Sequence, residues 1–540
     1  MRVQRNNLAG AQRDDLVTGT LLMATPQEKL AEALEALRAL QDRGVVAIRA
    51  ADLKRVHRER LLKNGFLQEV MKGWYLAARP DDAAGERTAW YASFWAFCAA
   101  YLHQRFGSDW CLSPEQSLSL HAGNRAVPPQ LLVRSPKGGN KATALPYGTS
   151  LFDVRAAVPA EKDIEERDGL RLFSLPAALI ASAPGFFERN PTDARAALAT
   201  IRAASEVLDR LLEGGHSTIA GRLAGAFRNL GWDRIADDIA DTMRAAGYSV
   251  REQDPFTTRI DSVLPRREVS PYVGRIRLMW QQMRGAVIEK FPASPGRRQD
   301  IEAYLKHVQE VYVTDAYHSL SIEGFRVSPA LIERVRSGDW NPDADEQDRE
   351  QRNALAARGY WLAYQAVQKS LRRVLGGENP GAVAYEDHGA WYRELFAPSV
   401  TAGLLRPADL AGYRNAPVVI RRSMHVPPSS EAVRDAMPVF FEMLTEESEP
   451  SVRVVLGHFI FVYIHPHPDG NGRIGRFLMN VMLAAGGYPW TVVPLERRDA
   501  YMAALEEASV RQNIAPFTDF LARLVDEGLR GKAVARVPEA

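Results

Sequence analysis

The run from 465 to 473 reads His-Pro-His-Pro-Asp-Gly-Asn-Gly-Arg and concentrates side chains that could act on a phosphate ester. His465 has the pKa range of a general base that takes a proton from an attacking hydroxyl. Asp469 supplies the hard oxygen that Mg²⁺ prefers when the ion bridges phosphates. The run therefore predicts a base and a metal ligand within one short loop.

Two predicted helices position this loop. Val452 to Ile464 is apolar on most sides, and this predicts a buried helix that ends at His465-Pro466, because proline disfavours helical geometry in the preceding residue. A second buried helix is predicted to start near Arg473 and to end at Gly486-Gly487. The turn between the helices therefore lies at a helix N-terminus, where the helix dipole favours an anion.

The residues of this turn suit phosphate groups. Gly470 and Gly472 let backbone N–H groups point at a ligand. Arg473 and Arg476 lie on neighbouring positions of the predicted helix, where both can bind phosphate oxygens in bidentate geometry. Base, metal ligand and phosphate cradle thus occur within twelve residues, from 465 to 476.

A metal centre is the alternative interpretation of the same run. His465-x-His467-x-Asp469 resembles the His-x-His-x-Asp-His string of binuclear zinc hydrolases. That string has a further histidine directly after the aspartate, where Gly470 stands here, and the arginines that follow would repel a dication. The phosphate interpretation is therefore favoured.

The run resembles the signature of the Fic family, His-Pro-Phe-x-(Asp/Glu)-Gly-Asn-Gly-Arg-x-x-Arg, and departs from it at His467, where the family has phenylalanine. The resemblance implies transfer of a nucleotidyl group, usually AMP from Mg·ATP, to a hydroxyl of a protein. It assigns His465 as the base, Asp469 to Mg²⁺ and Arg476 to the γ-phosphate. The other nucleotide contacts that it implies are Gly470, Asn471, Gly472, Arg473 and, in the adenine pocket, Tyr501.

An upstream segment, Ser319-Leu320-Ser321-Ile322-Glu323-Gly324, resembles the inhibitory motif (Ser/Thr)-x-x-x-Glu-(Gly/Asn) of one class of Fic proteins. A carboxylate at a helix end that paired with Arg476 would take the site of the γ-phosphate. ATP would then bind in a poor orientation for attack on its α-phosphate. A plain helix C-cap is the alternative interpretation of this segment.

The segment Gly412 to Ile420 ends in β-branched residues and predicts a small β-hairpin. By resemblance, Gly412-Tyr413-Arg414 leads into the Fic flap, which holds a target peptide by strand addition, a general recognition mode. An ordinary surface hairpin is equally compatible with the residues.

The N-terminal half predicts two further domains. Residues 1–27 are polar and predicted to be loose, and 28–80 predict a winged helix-turn-helix. The winged helix has helices at Glu28–Gln41, Ala50–Val56 and Arg60–Asn64 and a hairpin around Lys72-Gly73. Residues 81–251 predict a mixed α/β domain, and 252–272, with three prolines, predict a linker before a Fic domain at 273–540. The fold class predicted is mainly α with an α+β N-terminal part.

This N-terminal half resembles antitoxins of the abortive-infection AbiEi type, whose winged helix ends in a Gly-x-Tyr hairpin, here Gly73-Trp74-Tyr75. Four basic residues within 28–80 predict a local basic face that suits DNA phosphates: Arg55, Arg58, Arg60 and Lys63. A solvated helix surface or a protein-docking winged helix explains the same charges.

Composition excludes several other classes. The net charge of the 540 residues is only +2, so no global basic field points to nucleic acid. Cys98 and Cys111 are the two cysteines, which suits a reducing compartment and offers no disulfide framework. No apolar run reaches the roughly 20 residues of a membrane span, and the N-terminus does not resemble a signal peptide. A cytoplasmic protein is therefore predicted.

The leading prediction is a protein adenylyltransferase that uses ATP and Mg²⁺, acts on a Ser, Thr or Tyr hydroxyl of a protein target and is inhibited by Glu323. The alternative is a DNA-binding, antitoxin-like transcriptional regulator whose Fic domain senses nucleotide. The intact His465 favours the enzyme, because a sensor needs no base. Transfer of another phosphate-containing group, removal of AMP, the identity of the target and a homodimer all stay open.

Overall fold

The computed structural model describes residues 25–80, 86–259, 270–296, 300–338, 351–532 and 535–537. The described residues form two compact units, one up to residue 80 and one from residue 86 onward. The predicted loose N-terminus, 1–27, lies largely outside the described residues, and the first helix begins at Pro26. In the described ranges, no helix is long and apolar enough to cross a bilayer.

The N-terminal unit is a helix pair with a small antiparallel sheet of strand order β1-β3-β2. Thr25 caps the first helix, since its hydroxyl accepts the Glu28 N–H while the Glu28 carboxylate accepts the Thr25 N–H. The elements of this unit are α1 (Pro26–Asp42), β1 (Ile48–Arg49), α2 (Arg55–Lys63), β2 (Leu67–Met71) and β3 (Trp74–Ala77).

The hairpin predicted around Lys72-Gly73 is confirmed, because β2 and β3 pair in antiparallel register across it. The helix predicted at Ala50–Val56 is wrong, and the described residues of this unit contain two helices instead of three. Asp52 accounts for the difference: its carboxylate accepts the Arg49 N–H at 2.8 Å and pairs with the Arg49 side chain. This local bond favours a turn after β1 over a helix.

The first part of the second unit mixes helices with small sheets, as predicted. One sheet has the order β4-β5-β7-β6, in which β5 and β7 are parallel, and β8 and β9 form a hairpin. The helices are α3 (Thr88–Phe106), α4 (Pro114–His121), α5 (Leu175–Ala181), α6 (Gly185–Arg189), α7 (Pro191–Leu198), α8 (Ser205–Glu213), α9 (Ser217–Asn229) and α10 (Asp233–Ala245). The strands are β4 (Cys111–Leu112), β5 (Gln130–Ser135), β6 (Lys141–Ala144), β7 (Ser150–Arg155), β8 (Ile164–Arg167) and β9 (Leu170–Phe173).

From Pro271 onward the described chain is helical, which confirms the predicted class of this part. Its helices are α11 (Pro271–Lys290), α12 (Ile301–Ile322), α13 (Pro329–Ser337), α14 (Gln351–Gly376), α15 (Pro380–Thr401), α16 (Ser430–Glu446), α17 (Pro450–Ile464), α18 (Asn471–Ala485), α19 (Arg498–Arg511) and α20 (Ala515–Leu529). The two helices predicted around the loop are confirmed as α17 and α18. Both lie in the core: Phe459 and Ile460 of α17 and Phe477 and Val481 of α18 are fully buried.

The β-hairpin predicted at Gly412–Ile420 is not formed. Residues 411–429 contain neither helix nor strand, although they follow a defined course between a short 3-10 turn at Pro407–Leu410 and α16. Arg414 gives the physical reason: it is buried, and its backbone N–H donates to the carbonyl of Pro466 instead of to a partner strand.

A buried ion pair joins the predicted mixed domain to the helical part within the second unit. Arg275 of α11 pairs with Asp193 of α7, and each side chain is 1% exposed. Asn124 and Gln512 also donate to the Asp193 carboxylate, at 2.9 and 3.3 Å, and Arg275 Nε donates to the Tyr463 hydroxyl at 2.9 Å. This network connects residues of both predicted domains to the end of α17.

Replacing Arg275 by methionine should therefore lower the stability of the second unit. The substitution leaves the Asp193 carboxylate buried without its cation, which costs about 3–5 kcal/mol in comparable pairs. Thermal and urea unfolding measure the loss. Arg372→Met is the matched control, because Arg372 is 56% exposed and its pair with Glu302 contributes at most about 1 kcal/mol. Equal losses in the two variants would contradict the role assigned to the buried pair.

Candidate active site

The loop between α17 and α18 is held by two residues in the left-handed backbone region. His465 ends α17 with φ 53° and ψ 59°, and its N–H donates to the Phe461 carbonyl at 3.0 Å. Gly470 precedes α18 with φ 79°, and a Cβ there would lie 2.8 Å from Phe396 Cε2. Glycine is required at 470 both for its backbone conformation and for the close approach of Phe396.

The imidazole of His465 is arranged as a neutral base. Its Nδ1 lies 3.1 Å from the Val462 carbonyl oxygen, which accepts only if Nδ1 carries the hydrogen, so Nε2 keeps its lone pair. Removal from water lowers the pKa of His465 to about 4, and the positive charge of Arg414 acts in the same direction. His465 is thus unprotonated at neutral pH.

His467 lies underneath the loop. It is 1% exposed and stacks on the Tyr392 ring, with ring centroids 4.0 Å apart and an angle of 8° between the planes. Asn471 closes the loop around it: the Asn471 side chain accepts the His467 N–H at 2.9 Å and donates to the His467 carbonyl at 2.8 Å. The Asn471 amide therefore shapes the loop, whereas the resemblance had assigned this residue to phosphate.

Arg473 lies on the first turn of α18, and Asp469 lies in the loop two residues before this helix begins. The Arg473 guanidinium is 2% exposed and lies between the rings of Phe325 and Phe396, at 5.2 and 5.1 Å from their centroids. Its Nη2 is 3.2 Å from Asp469 Oδ2, and the Asp469 side chain is 67% exposed. The exposed Asp469 carboxylate thus lies beside the buried Arg473 cation. A carboxylate could bind Mg²⁺ and a cation could bind a phosphate, so the pair suits a phosphate-bound Mg²⁺.

Arg476 contacts Ser319 and Glu323, which lie at the end of α12. Its Nε donates to Ser319 Oγ at 2.9 Å, and its Nη2 donates to the Ser319 carbonyl at 3.0 Å and to Glu323 Oε1 at 2.7 Å. Gly324, with φ 89°, ends α12 and turns the chain directly after Glu323. The structure therefore brings the three residues together as the sequence predicts.

The Glu323 carboxylate also lies at the N-terminus of α18. A Cβ at Gly472 would lie 2.3 Å from Glu323 Oε1, so this approach requires glycine. No side chain caps α18, and the N–H groups of its first turn have no partner within the helix. Glu323 therefore places negative charge where a helix N-terminus attracts an anion.

Tyr501 is placed in the core beside this site. It is 1% exposed, its hydroxyl forms a 2.7 Å hydrogen bond with His458 Nε2, and its ring packs on Phe517 and Phe520. Burial raises its pKa to about 12, with the nearby Arg476 acting in the opposite direction. Its role in an adenine pocket stays a prediction.

Sequence reasoning missed the two aromatic rings that enclose Arg473, and it named Arg414 only as part of the segment that leads into the flap. Phe325 directly follows the inhibitory segment, two residues after Glu323, and this position was a signal in the sequence. Phe396 and Arg414 carry no such signal, because only the tertiary fold brings α15 and the segment before α16 against the loop.

The zinc interpretation finds no support in the arrangement of side chains. His467 is stacked beneath Tyr392, and among the described residues no three His, Cys, Asp or Glu side chains converge as metal ligands. Cys98 and Cys111 are both buried free thiols.

Several of the basic residues of the N-terminal unit are engaged within that unit. Arg58 donates to the Ala50 carbonyl at 2.6 Å, Arg60 donates to the Lys29 carbonyl at 2.7 Å, and Arg55 pairs with Glu59. Lys63 is exposed. DNA binding by residues 28–80 stays a prediction that these contacts do not favour.

Residues 384–483, which run from within α15 to α18, match the model of the Fic/DOC family. This part of the chain is therefore a Fic domain.

Among curated proteins, the chain is 29% identical over 237 residues to a protein adenylyltransferase Fic of Drosophila grimshawi, covering 43% of this chain and 44% of the relative. It is 35% identical over 128 residues to one of Nematostella vectensis, covering 23% and 29%. The chain thus spans less than half the length of these two relatives.

A structural comparison pairs the chain with Fic-1 from C. elegans at 19% identity and a TM-score of 0.34. The alignment covers 63% of this chain and 96% of that chain. The AbiEi resemblance of the N-terminal half stays a prediction.

Replacing His467 by phenylalanine should reduce the acid sensitivity of the fold. Burial lowers the pKa of His467 to about 3, below the ordinary 6.5, so at pH below 6.5 the unfolded chain takes up a proton that the folded chain does not. The uptake of this proton favours the unfolded chain, so the free energy of unfolding falls by about 1.4 kcal/mol per pH unit as the pH drops below 6.5. Urea unfolding measured between pH 7 and roughly pH 5 should show a correspondingly shallower slope in the variant.

The control for this measurement is His307→Phe, a substitution of a half-exposed histidine on α12. It should leave the pH dependence of unfolding unchanged. The same slope in His467→Phe and in the wild type would contradict the buried, neutral state assigned to His467.

Proposed function

We propose that this protein transfers AMP from Mg·ATP to a Ser, Thr or Tyr hydroxyl of a protein, and that Glu323 holds this activity low. The observation that carries the proposal is the neutral imidazole of His465 in a Fic domain, next to a helix N-terminus that two buried arginines flank. Relatives named protein adenylyltransferase Fic support the choice of AMP as the group transferred.

In this reaction His465 Nε2 accepts the proton of the target hydroxyl while the hydroxyl oxygen attacks the α-phosphorus of ATP. A new P–O bond to the target forms, the bond between the α- and β-phosphates breaks, and pyrophosphate leaves. The N–H groups at the start of α18 and the Arg473 guanidinium face the charge that builds up on the phosphoryl oxygens. Asp469 would hold Mg²⁺, which screens the charge of the triphosphate.

Inhibition follows from competition for one positive site. The Glu323 carboxylate uses Nη2 of Arg476 and lies against Gly472, where the terminal phosphates would need to bind. Two anions cannot share this site, because like charges a few ångströms apart in a buried environment repel strongly. ATP would therefore bind weakly, or with its α-phosphate away from His465, while Glu323 is in place.

Glu323→Gly should raise self-modification or target modification with α-labelled ATP by roughly 10- to 100-fold, the equivalent of one charged hydrogen bond. The variant opens the phosphate site and keeps Arg476. Autoradiography of the protein in a lysate measures the label, and mass spectrometry reports the mass of the added group. An adduct with a mass other than that of AMP would show that the protein transfers another phosphate-containing group.

The matched control for this variant is Glu378→Gly, since Glu378 also pairs with an arginine, Arg373 at 2.7 Å, outside the loop. It should label no more than the wild type. Labelling of Glu323→Gly at the wild-type level would count against inhibition by Glu323.

His465→Ala, introduced into the Glu323→Gly protein, should lower transfer by about 10²- to 10⁴-fold, the usual contribution of a general base. ATP affinity should stay unchanged, because His465 contacts the hydroxyl and not the triphosphate. Calorimetric titration with ATP and the labelling assay measure the two quantities separately. His307→Ala serves as the control for loss of a histidine, and undiminished transfer by His465→Ala would remove the assigned base.

A further inference from the structure

The segment of residues 412–428, here called the strap, has no regular secondary structure but contacts the loop through one buried cation. Arg414 lies in the strap and is 2% exposed. Its backbone N–H donates to the Pro466 carbonyl at 2.9 Å and its Nε donates to the His465 carbonyl at 2.8 Å. Its two Nη atoms donate to the carbonyls of Ala416 and Pro428, within the strap itself.

This arrangement matters because of the backbone of His465. The left-handed conformation of a non-glycine residue costs about 1–2 kcal/mol, so neighbouring groups must hold it. Arg414 binds the carbonyls of two successive residues, His465 and Pro466, and so fixes the peptide planes on the C-terminal side of the imidazole. The His465 Nδ1 is also hydrogen-bonded to the Val462 carbonyl, so the orientation of the ring, and with it the direction of Nε2, is fixed.

The strap is itself anchored at several points, so that it can act as a rigid support. Arg421 donates to the buried Glu86 carboxylate at 2.9 Å, and the Met424 carbonyl accepts the Val127 N–H at 2.8 Å. His425 stacks on Tyr463, and its Nε2 lies 2.8 Å from the Tyr463 carbonyl oxygen. These contacts hold the strap against α17, against Glu86 just before α3 and against Val127 after α4.

Arg414 also acts on the charge state of the base. Its four hydrogen bonds go to carbonyl oxygens, and among the described residues no carboxylate pairs with it. Burial lowers its pKa to about 10, so it stays charged at neutral pH. The charged and titratable groups that act on His465 are Arg414, Glu323, Asp469, His425 and His467.

We propose that Arg414 is a positioning residue for His465: it holds the carbonyls of His465 and Pro466 and thereby directs the imidazole Nε2 toward the reacting hydroxyl. The part of this proposal that concerns the hydroxyl rests on the proposed transfer reaction. The part that concerns the geometry and charge state of His465 does not.

The test compares Arg414→Lys and Arg414→Met in the Glu323→Gly protein. Both variants should lower kcat for AMP transfer by about 10- to 100-fold, the loss expected when a reacting group is displaced by about 1 Å, while KM for ATP stays unchanged. The pH dependence of kcat separates the effect of Arg414 on the position of His465 from its effect on the charge of His465.

Lysine keeps the positive charge, so the pH at which kcat falls on the acidic side should stay unchanged. Methionine removes the charge, so kcat should begin to fall at a higher pH. Arg406→Met, at a residue that is 82% exposed, is the control and should match the parent.

A second measurement does not depend on transfer. Histidines labelled with ¹³C at Cε1 are titrated by NMR, with His465 assigned from the signal that His465→Ala lacks. Arg414→Met should raise the pKa of His465, and Arg414→Lys should change the His465 chemical shift with less change in pKa. If Glu323→Gly transfers no AMP, the proposed function fails while this titration still decides the role of Arg414.

Two results would overturn the positioning role. One is an unchanged kcat together with an unchanged His465 titration in both Arg414 variants. The other is a parallel loss of ATP affinity and of cooperative unfolding, which would assign Arg414 to stability alone.

Discussion

The positive end of α18 is the constraint on which the rest of the site depends. The helix is buried along almost its whole length, so its first N–H groups and the guanidinium groups of Arg473 and Arg476 lie where water cannot fully solvate them. Buried positive charge without a partner is costly. The neighbouring side chains stabilise this charge. Phe325 and Phe396 enclose Arg473, while Glu323 and Ser319 bind Arg476. An ATP triphosphate would satisfy the same demand, so in the proposed function it would compete with Glu323 for this site.

Four buried histidines lie around this positive end, and their charge state also depends on burial. Burial lowers the pKa of His425, His458, His465 and His467 alike, so all four are neutral at physiological pH. Three of them have structural partners in rings or carbonyls: Tyr463 for His425, Tyr501 for His458 and Tyr392 for His467. In His465 the hydrogen bond to the Val462 carbonyl places the ring hydrogen on Nδ1, so Nε2 keeps the lone pair that could accept a proton.

The loop itself owes its shape to residues that come from four directions. Asn471 closes it from within, Tyr392 and Phe396 support it from α15, Glu323 reaches it from α12 and Arg414 holds it from the strap. Since α7 and α11 are joined by the Asp193–Arg275 pair, and Arg275 binds Tyr463 at the end of α17, the preceding mixed helix-and-sheet part also contributes to this support. Within the second unit the loop between α17 and α18 is thus supported by more than the matched residues 384–483.

The sequence by itself determined the local features of this protein. The apolar runs of α17 and α18, the proline after His465, Gly470 at a positive φ and the hairpin at Gly73 were all predictable, because propensity and turn chemistry act between near neighbours in the chain. Hydrophobic patterning along the chain likewise predicted a helical C-terminal part and a mixed N-terminal part. Only the tertiary structure decided that the Asn471 amide turns into the loop, that Tyr501 lies in the core and that the strap forms no hairpin. These outcomes depend on which distant surfaces pack together, and a buried side chain takes its hydrogen-bond partners from those surfaces, not from its neighbours in sequence.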